Sequence, residues 1–256
     1  MFHAESLILG LISAGCIFCG VLLGLLLRRV VPDNHLQEES KDTIKLGAGM
    51  VATVSALVLG LLVASAKTAF DTTQEEITQR AAKIVFLDHL LSDYGPETQP
   101  AREQLRKTVA ATIQILWPKK KNGTSGLTEY ERLFGMRTTQ LMLFNLTPTT
   151  EAQRRLYDSA QRLLTELRQS RWALIQREQR TVPLPFLVVL LFWLTMLHIS
   201  FGLFAPRNAT VLTVLFVSAF SVSAAIFIIL DMSHPLQGVI TVSGAPMQKA
   251  LDLLGQ

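Results

Sequence analysis

The sequence contains no glycine-rich phosphate loop, no dinucleotide-binding fingerprint, no HExxH helix and no Cys/His spacing suited to a metal. Those absences remove the usual bases for nucleotide, redox-cofactor and metal chemistry. Ser, His and Asp residues occur, but no nucleophile-elbow pattern holds them. There are 2 cysteines, Cys16 and Cys19, both inside an apolar run, so they imply no disulfide framework and report no compartment. The opening MFHAE lacks a basic leader, and Arg28-Arg29 follow the first apolar run where small cleavage-site residues would stand. That run is read as a retained helix, with Gly20 and Gly24 as a close-contact face. No aromatic-rich basic motif accompanies the lysines and arginines, so nucleic acid is not a partner. The expectation is a protein that is not an enzyme and uses no cofactor and no metal.

What the chain does have is long hydrophobic runs. An apolar fraction of 49% is ordinary, yet the mean hydropathy is +0.34, and the apolar residues are concentrated in four uncharged windows. These are 6–27, 46–66, 181–206 (a span of about 184–205) and 208–230. Each exceeds the roughly 18–20 residues that cross a hydrocarbon core of about 30 Å. The expected fold is all-α: a four-span membrane protein with a large helical extramembrane insert between spans 2 and 3. Its parts are a first transmembrane pair within 1–66, a helical domain over 67–180, a second pair within 181–230 and a tail over 231–256.

The window at 46–66 organises the rest. Ala48, Ala52, Ala56, Gly60 and Ala64 recur every fourth position and form a stripe of small side chains. In lipid such a stripe lets another backbone approach closely. Thr53, Leu57, Leu61 and Ser65 form a second row beside it. Two readings stand. Either both rows pack neighbouring helices, or one of them faces an axis shared between subunits.

The insert carries 18 Lys and Arg against 13 Asp and Glu, more than the whole excess behind the net charge of +4, which suits a domain beside an anionic leaflet. The helix of the second span is expected to continue outward on Phe70, Ile77, Ala81, Ile84 and Leu91 and to end at Tyr94-Gly95-Pro96. Further helices are expected over about 100–117 and 127–144, and from Pro148 onward. Lys119-Lys120-Lys121 is either a solvated tip or a headgroup contact. Leu156, Ala160, Leu163, Leu167 and Leu174 mark a seam, within one subunit or between two. Pro183 and Pro185 open the third span, and four residues, Ala205 to Asn208, turn it into the fourth, so those two form a tight antiparallel hairpin. His3, His35 and His89 read as solvated. His198 lies at membrane depth, where an ionisable group is costly and marks a functional candidate; the alternative is a neutral imidazole bonded to a neighbouring helix. Ala245-Pro246 opens a final amphipathic turn.

Three places resemble the bestrophin channels, and more closely the bacterial bestrophin-like membrane proteins. Leu57-Val58-Leu59-Gly60-Leu61 is similar to the FVLGF-type run of the bestrophin second helix. Lys67-Thr68-Ala69-Phe70-Asp71 resembles the Arg…Ala-Tyr-Asp segment after it. The stretch from Asp231 through Pro235 to Gly238 is similar to the acidic-x-x-x-Pro-Phe-Gly signature that follows the last span, and Tyr94-Gly95-Pro96-Glu97 and Trp117-Pro118 extend the match over nearly the full chain. The resemblance implies a homo-oligomer, a pentamer, whose second helices line a path for inorganic ions through a hydrophobic neck. Carried over by position, the neck is Thr53, Leu57 and Leu61. The chain departs from bestrophins in having no aromatic neck residue and Leu236 where Phe is usual, and Asp231 stands outside any acidic cluster, so a calcium clasp is not expected.

The functional expectation is therefore an oligomeric ion channel surrounded by membrane lipids. The alternative is a non-conducting scaffold or sensor whose helical domain binds a partner. Orientation cues conflict. Arg28, Arg29, Lys41 and Lys45 in the first loop favour its cytoplasmic placement, whereas the resemblance places the helical domain and both termini in the cytoplasm. Four acids dilute the loop signal, so the second orientation is adopted, in the inner (plasma) membrane.

Overall fold

A computed structural model describes residues 2–32, 37–118, 129–178, 184–206, 208–236 and 238–255. Lys119-Lys120-Lys121 and Pro183 fall outside those residues, and the side chain of Leu174 is likewise not described. All regular structure among the described residues is helical. The helices are α1 Phe2–Val30, α2 Glu38–Tyr94, α3 Gln99–Leu116, α4 Glu129–Phe144, α5 Glu151–Glu178, α6 Leu184–Phe204, α7 Ala209–Met232 and α8 Ala245–Leu253. Four of them, α1, α2, α6 and α7, are long and apolar enough to cross a membrane. The chain forms two compact units: residues 1–70 with 180–241, and residues 71–179 with 242–256.

In the first unit α1 is the central helix. It packs along α6 and then along α7, while α6 and α7 touch each other little despite their short connection. The sequence leads to a tight hairpin there; the turn is indeed short, but α1 supplies the packing partner of both helices. Gly20, Gly24 and Gly202 explain why. A Cβ on Gly20 would stand 2.9 Å from the Thr195 carbonyl oxygen, one on Gly24 would strike the Ile199 carbonyl, and one on Gly202 the Val21 carbonyl. Backbones approach here as only small residues allow, which is how helices gain contact where lipid removes the hydrophobic drive. Around the crossing, Ile17, Leu190, Leu194, Ala219, Ile226 and Leu230 form the core, with Phe18 set edge-on to Phe216 at 5.2 Å. The first part of α2 joins through Val58, Leu59 and Leu62. Asn208 caps α7 by accepting from the Val211 N–H at 2.8 Å, and Arg28, at the end of α1, donates to the Ala205 carbonyl.

The second unit is an ordinary water-type core. Ile77, Ile84, Leu87 and Leu91 of α2 are buried with Leu105 and Val109 of α3, Leu143 of α4 and Leu164 and Leu167 of α5. The α5 seam thus packs inside the chain, fixed to α2 by Arg80 donating to the Leu167 carbonyl at 3.0 Å and by a Lys83–Glu166 pair at 2.8 Å. At its other end α2 stops at Gly95, whose φ of 138° lies in the region glycine tolerates. The chain returns to this unit after Thr241. Trp117 donates its indole N–H to the Val242 carbonyl at 2.9 Å, and the Ser243 N–H donates to Gln74 at 2.7 Å. Asp88, buried, takes a bidentate bond from Arg102 at 2.8 and 2.9 Å and the Gly255 N–H at 3.1 Å. The stretch 231–256, one tail in the sequence, is therefore shared: its beginning belongs to the first unit and α8 to the second.

Candidate functional site: the outward face of the second helix

Along its membrane stretch α2 has one face turned to its own bundle and one turned away. Ser55 is buried, and Val58, Leu59 and Leu62 pack on the core. About half a turn round, Leu46, Met50, Thr53, Leu57 and Leu61 are exposed. Leu57 is 64% exposed and Leu61 71%, values that a packed leucine does not show. Four-residue spacing sets Thr53, Leu57 and Leu61 about 6 Å apart along the helix. The Thr53 hydroxyl donates to the Gly49 carbonyl at 2.9 Å, so it presents acceptor lone pairs outward. The row thus offers one weakly polar position followed by two that repel water.

The stripe of small residues divides between the two faces. Ala48 and Ala52 are half-buried, whereas Ala56, Gly60 and Ala64 are exposed. A Cβ on Gly60 would meet nothing within 4 Å among the described residues. Any close backbone approach at Gly60 therefore belongs to another molecule.

His198 is 3% exposed on α6. Its Nδ1 lies 2.8 Å from the Leu194 carbonyl of its own helix, where the sequence suggested a neighbouring one, and its ring stands edge-on to Phe201. Among the described residues its Nε2 finds no hydrogen-bond partner, as is also true of the buried hydroxyls of Ser55 and Ser223. Sequence reasoning singled out His198 from its type and depth, but an isolated serine in an apolar run carries no comparable signal.

The signature residues serve different ends. Lys67 and Asp71 are exposed on α2 just past the membrane stretch. Asp231 is fully buried at the end of α7. Its carboxylate accepts from the Ser6 hydroxyl at 3.2 Å, the Val239 N–H at 2.9 Å and the Ile240 N–H at 2.7 Å. Pro235 lies in the turn between, and a Cβ on Gly238 would fall 2.8 Å from the carboxylate oxygen. The acid, proline and glycine are thus one device: a buried carboxyl group accepting hydrogen bonds from backbone N–H groups and the Ser6 hydroxyl, closing the chain behind the last span and holding the start of α1. No group of His, Cys, Asp or Glu suited to a metal forms among the described residues. Asp231 missed recognition as an anchor because its partner Ser6 lies at the other end of the sequence.

Outside the membrane stretches, the Asp88 carboxylate is held by the Arg102 guanidinium and the Gly255 N–H. Burial pushes its pKa up, but the Arg102 hydrogen bonds, the Gly255 amide and the charges of Arg102 and His89 together hold it below the ordinary aspartate value.

Four apolar spanning helices around a close α1–α6 crossing, with a separate helical unit inserted in the chain, define a polytopic helical membrane protein. A family model described as the Bestrophin-like domain matches residues 15–247, and the chain belongs to that family. No curated protein and no solved structure matches it.

Proposed function

We propose that the protein is a bestrophin-like ion channel, assembled from several copies, in which the outward row of α2 lines the pathway. The observation that carries the reading is the exposure of Leu57 and Leu61 on the side of α2 opposite its own core. A symmetric ring of α2 helices around an axis would stack rings of Thr53, Leu57 and Leu61. Leucine cannot replace an ion's hydration shell, so such a neck opposes passage until it widens and wets. Ala56, Gly60 and Ala64, exposed beside that row, supply a surface along which a neighbouring copy's backbone can approach. Five subunits is the number the family resemblance implies. Permeation and gating would be its whole activity, with no bond-making step.

The second unit and both termini are placed in the cytoplasm of a cell with the protein in its plasma membrane. The Ser6–Asp231 bond, which joins the start of α1 to the end of α7, agrees with an even number of crossings. The competing reading is a non-conducting scaffold. It is favoured by Phe86, Leu141 and Phe144, which are 56%, 52% and 58% exposed on the second unit and would suit a partner protein. Purified protein reconstituted in planar bilayers separates the two: unitary currents support the channel, and a silent but intact oligomer supports the scaffold.

A further inference from the structure

Along α2 the buried residues keep to one side of the helix. Ser55, Ala66, Thr73, Ile77, Ile84 and Leu91 are all buried, and at about 100° of turn per residue all fall within about 20° of the direction opposite Leu57. The row of Thr53, Leu57 and Leu61 therefore continues, within about 40° of the Leu57 direction, through Ala64, Thr68, Asp71, Glu75 and Gln79, every one of them exposed. Its character changes on the way. From Leu46 to Leu61 the row holds no charge, and from there to Ala82 its only ionisable side chains are Asp71 and Glu75. Lys67 and Lys83 lie about 80° to either side of it, and Lys83 is paired with Glu166 at 2.8 Å. Lys67 stands one turn from Asp71, so that acid has a cation close by. Glu75 does not: the residues one turn away, Asp71, Thr72, Thr78 and Gln79, carry no positive charge, and among the described residues it forms no ion pair. Its carboxylate accepts from the Gln79 amide at 3.1 Å, a neutral donor that leaves its charge in place. Glu75 follows Leu57 by about five turns, on the same line of the helix and about 27 Å along it.

We propose that Glu75 selects for inorganic cations on this pathway. This rests on the reading of the outward α2 row as pore-lining and adds to it the sign of the ion. In a ring of α2 helices each copy places one carboxylate on the side of the axis. Several like carboxylates around a water-filled path raise the local concentration of cations and deplete anions. The leucine neck is uncharged and does not distinguish the two signs, so the preference comes from the charged stretch of the row.

The test is the reversal potential of the full-length protein in planar bilayers across a potassium chloride gradient. The wild type should favour potassium over chloride. It should do so less at about 1 M than at about 0.1 M salt, because the Debye length shrinks from about 10 Å to about 3 Å. Glu75→Gln, close in size and uncharged, should lower the potassium-to-chloride permeability ratio several-fold, and Glu75→Lys should carry it below unity. Glu103→Gln, at an exposed acid on α3, should leave the ratio unchanged. A wild type that favours chloride, a ratio unmoved by both Glu75 variants, or an equal shift with Glu103→Gln would overturn the proposal and leave the channel reading standing. Silence of a folded wild-type oligomer would overturn the channel reading and the proposal with it. Should Glu75→Lys fail to fold, Glu75→Gln decides alone.

Discussion

Asp231 and Asp88 are buried carboxylates that each tie a chain end into its own unit. Hydrogen bonds to a charged group are worth about 1.5–3 kcal/mol apiece. Asp231→Asn keeps the shape but turns one acceptor into a donor facing the Val239 or Ile240 N–H. Leaving a buried N–H without its acceptor costs about 1–3 kcal/mol, which should appear as a lowered thermal midpoint in detergent; an unchanged midpoint would mean that the turn at Pro235 holds without the carboxyl group. Asp88 makes a pH-dependent contribution. Its folded pKa is depressed, so the stabilisation is present above the unfolded aspartate value of about 3.9 and is lost as pH falls through the folded one. Acid titration followed by Trp117 fluorescence, in a background with the other tryptophans replaced, should show the second unit loosening at a pH where Asp88→Asn is already loosened and changes less. Neither anchor was legible in the sequence. Composition marks an acid next to an apolar span as unusual, but its partners lie far away along the chain, and only folding brings Ser6 to Asp231 or Gly255 to Asp88.

The spans and the length of α2 were legible because hydropathy reports membrane depth directly, and because the period of Ile77, Ala81, Ile84 and Leu91 continues past the membrane until glycine and proline stop it. The contact face on Gly20 and Gly24 was legible for the same kind of reason: small residues four apart have a steric meaning. Which face of α2 turns inward was not. In lipid, apolar residues suit a packed and an unpacked face alike, so Leu57 and Leu59 look equivalent until the core is seen. The two glycine sites now separate. Gly24→Leu inserts a side chain into the α6 backbone and should unfold or severely destabilise the single chain, measured as loss of the monodisperse detergent-purified protein. A Cβ at Gly60 meets nothing within 4 Å among the described residues, so with Gly60→Leu the subunit should keep its fold while the oligomer weakens in native mass measurement. An unchanged oligomer with Gly60→Leu and with Ala56→Leu would place that surface in lipid.

For the molecule as a whole, the chain leaves the transmembrane unit along α2, builds a second helical core and finishes on it with α8, so 231–256 serves both units. Orientation is open to a direct test. With Cys16 and Cys19 replaced, Ser159→Cys on the exposed side of α5 should resist an impermeant thiol reagent in intact cells and react after lysis; labelling of intact cells would reverse the assigned orientation. The central claim is that the outward row of α2 forms a dry constriction on an ion path. Shortening Leu57 and Leu61 together to Ala removes most of the hydrophobic bulk and adds no charge, so gating should change more than ion preference. Planar-bilayer recordings of the wild type beside Leu57→Ala/Leu61→Ala are the most direct measurement. A constriction of this kind gives unitary currents in both, with higher open probability or conductance in the variant. Silence of both at every voltage, with both still folded oligomers, would contradict it.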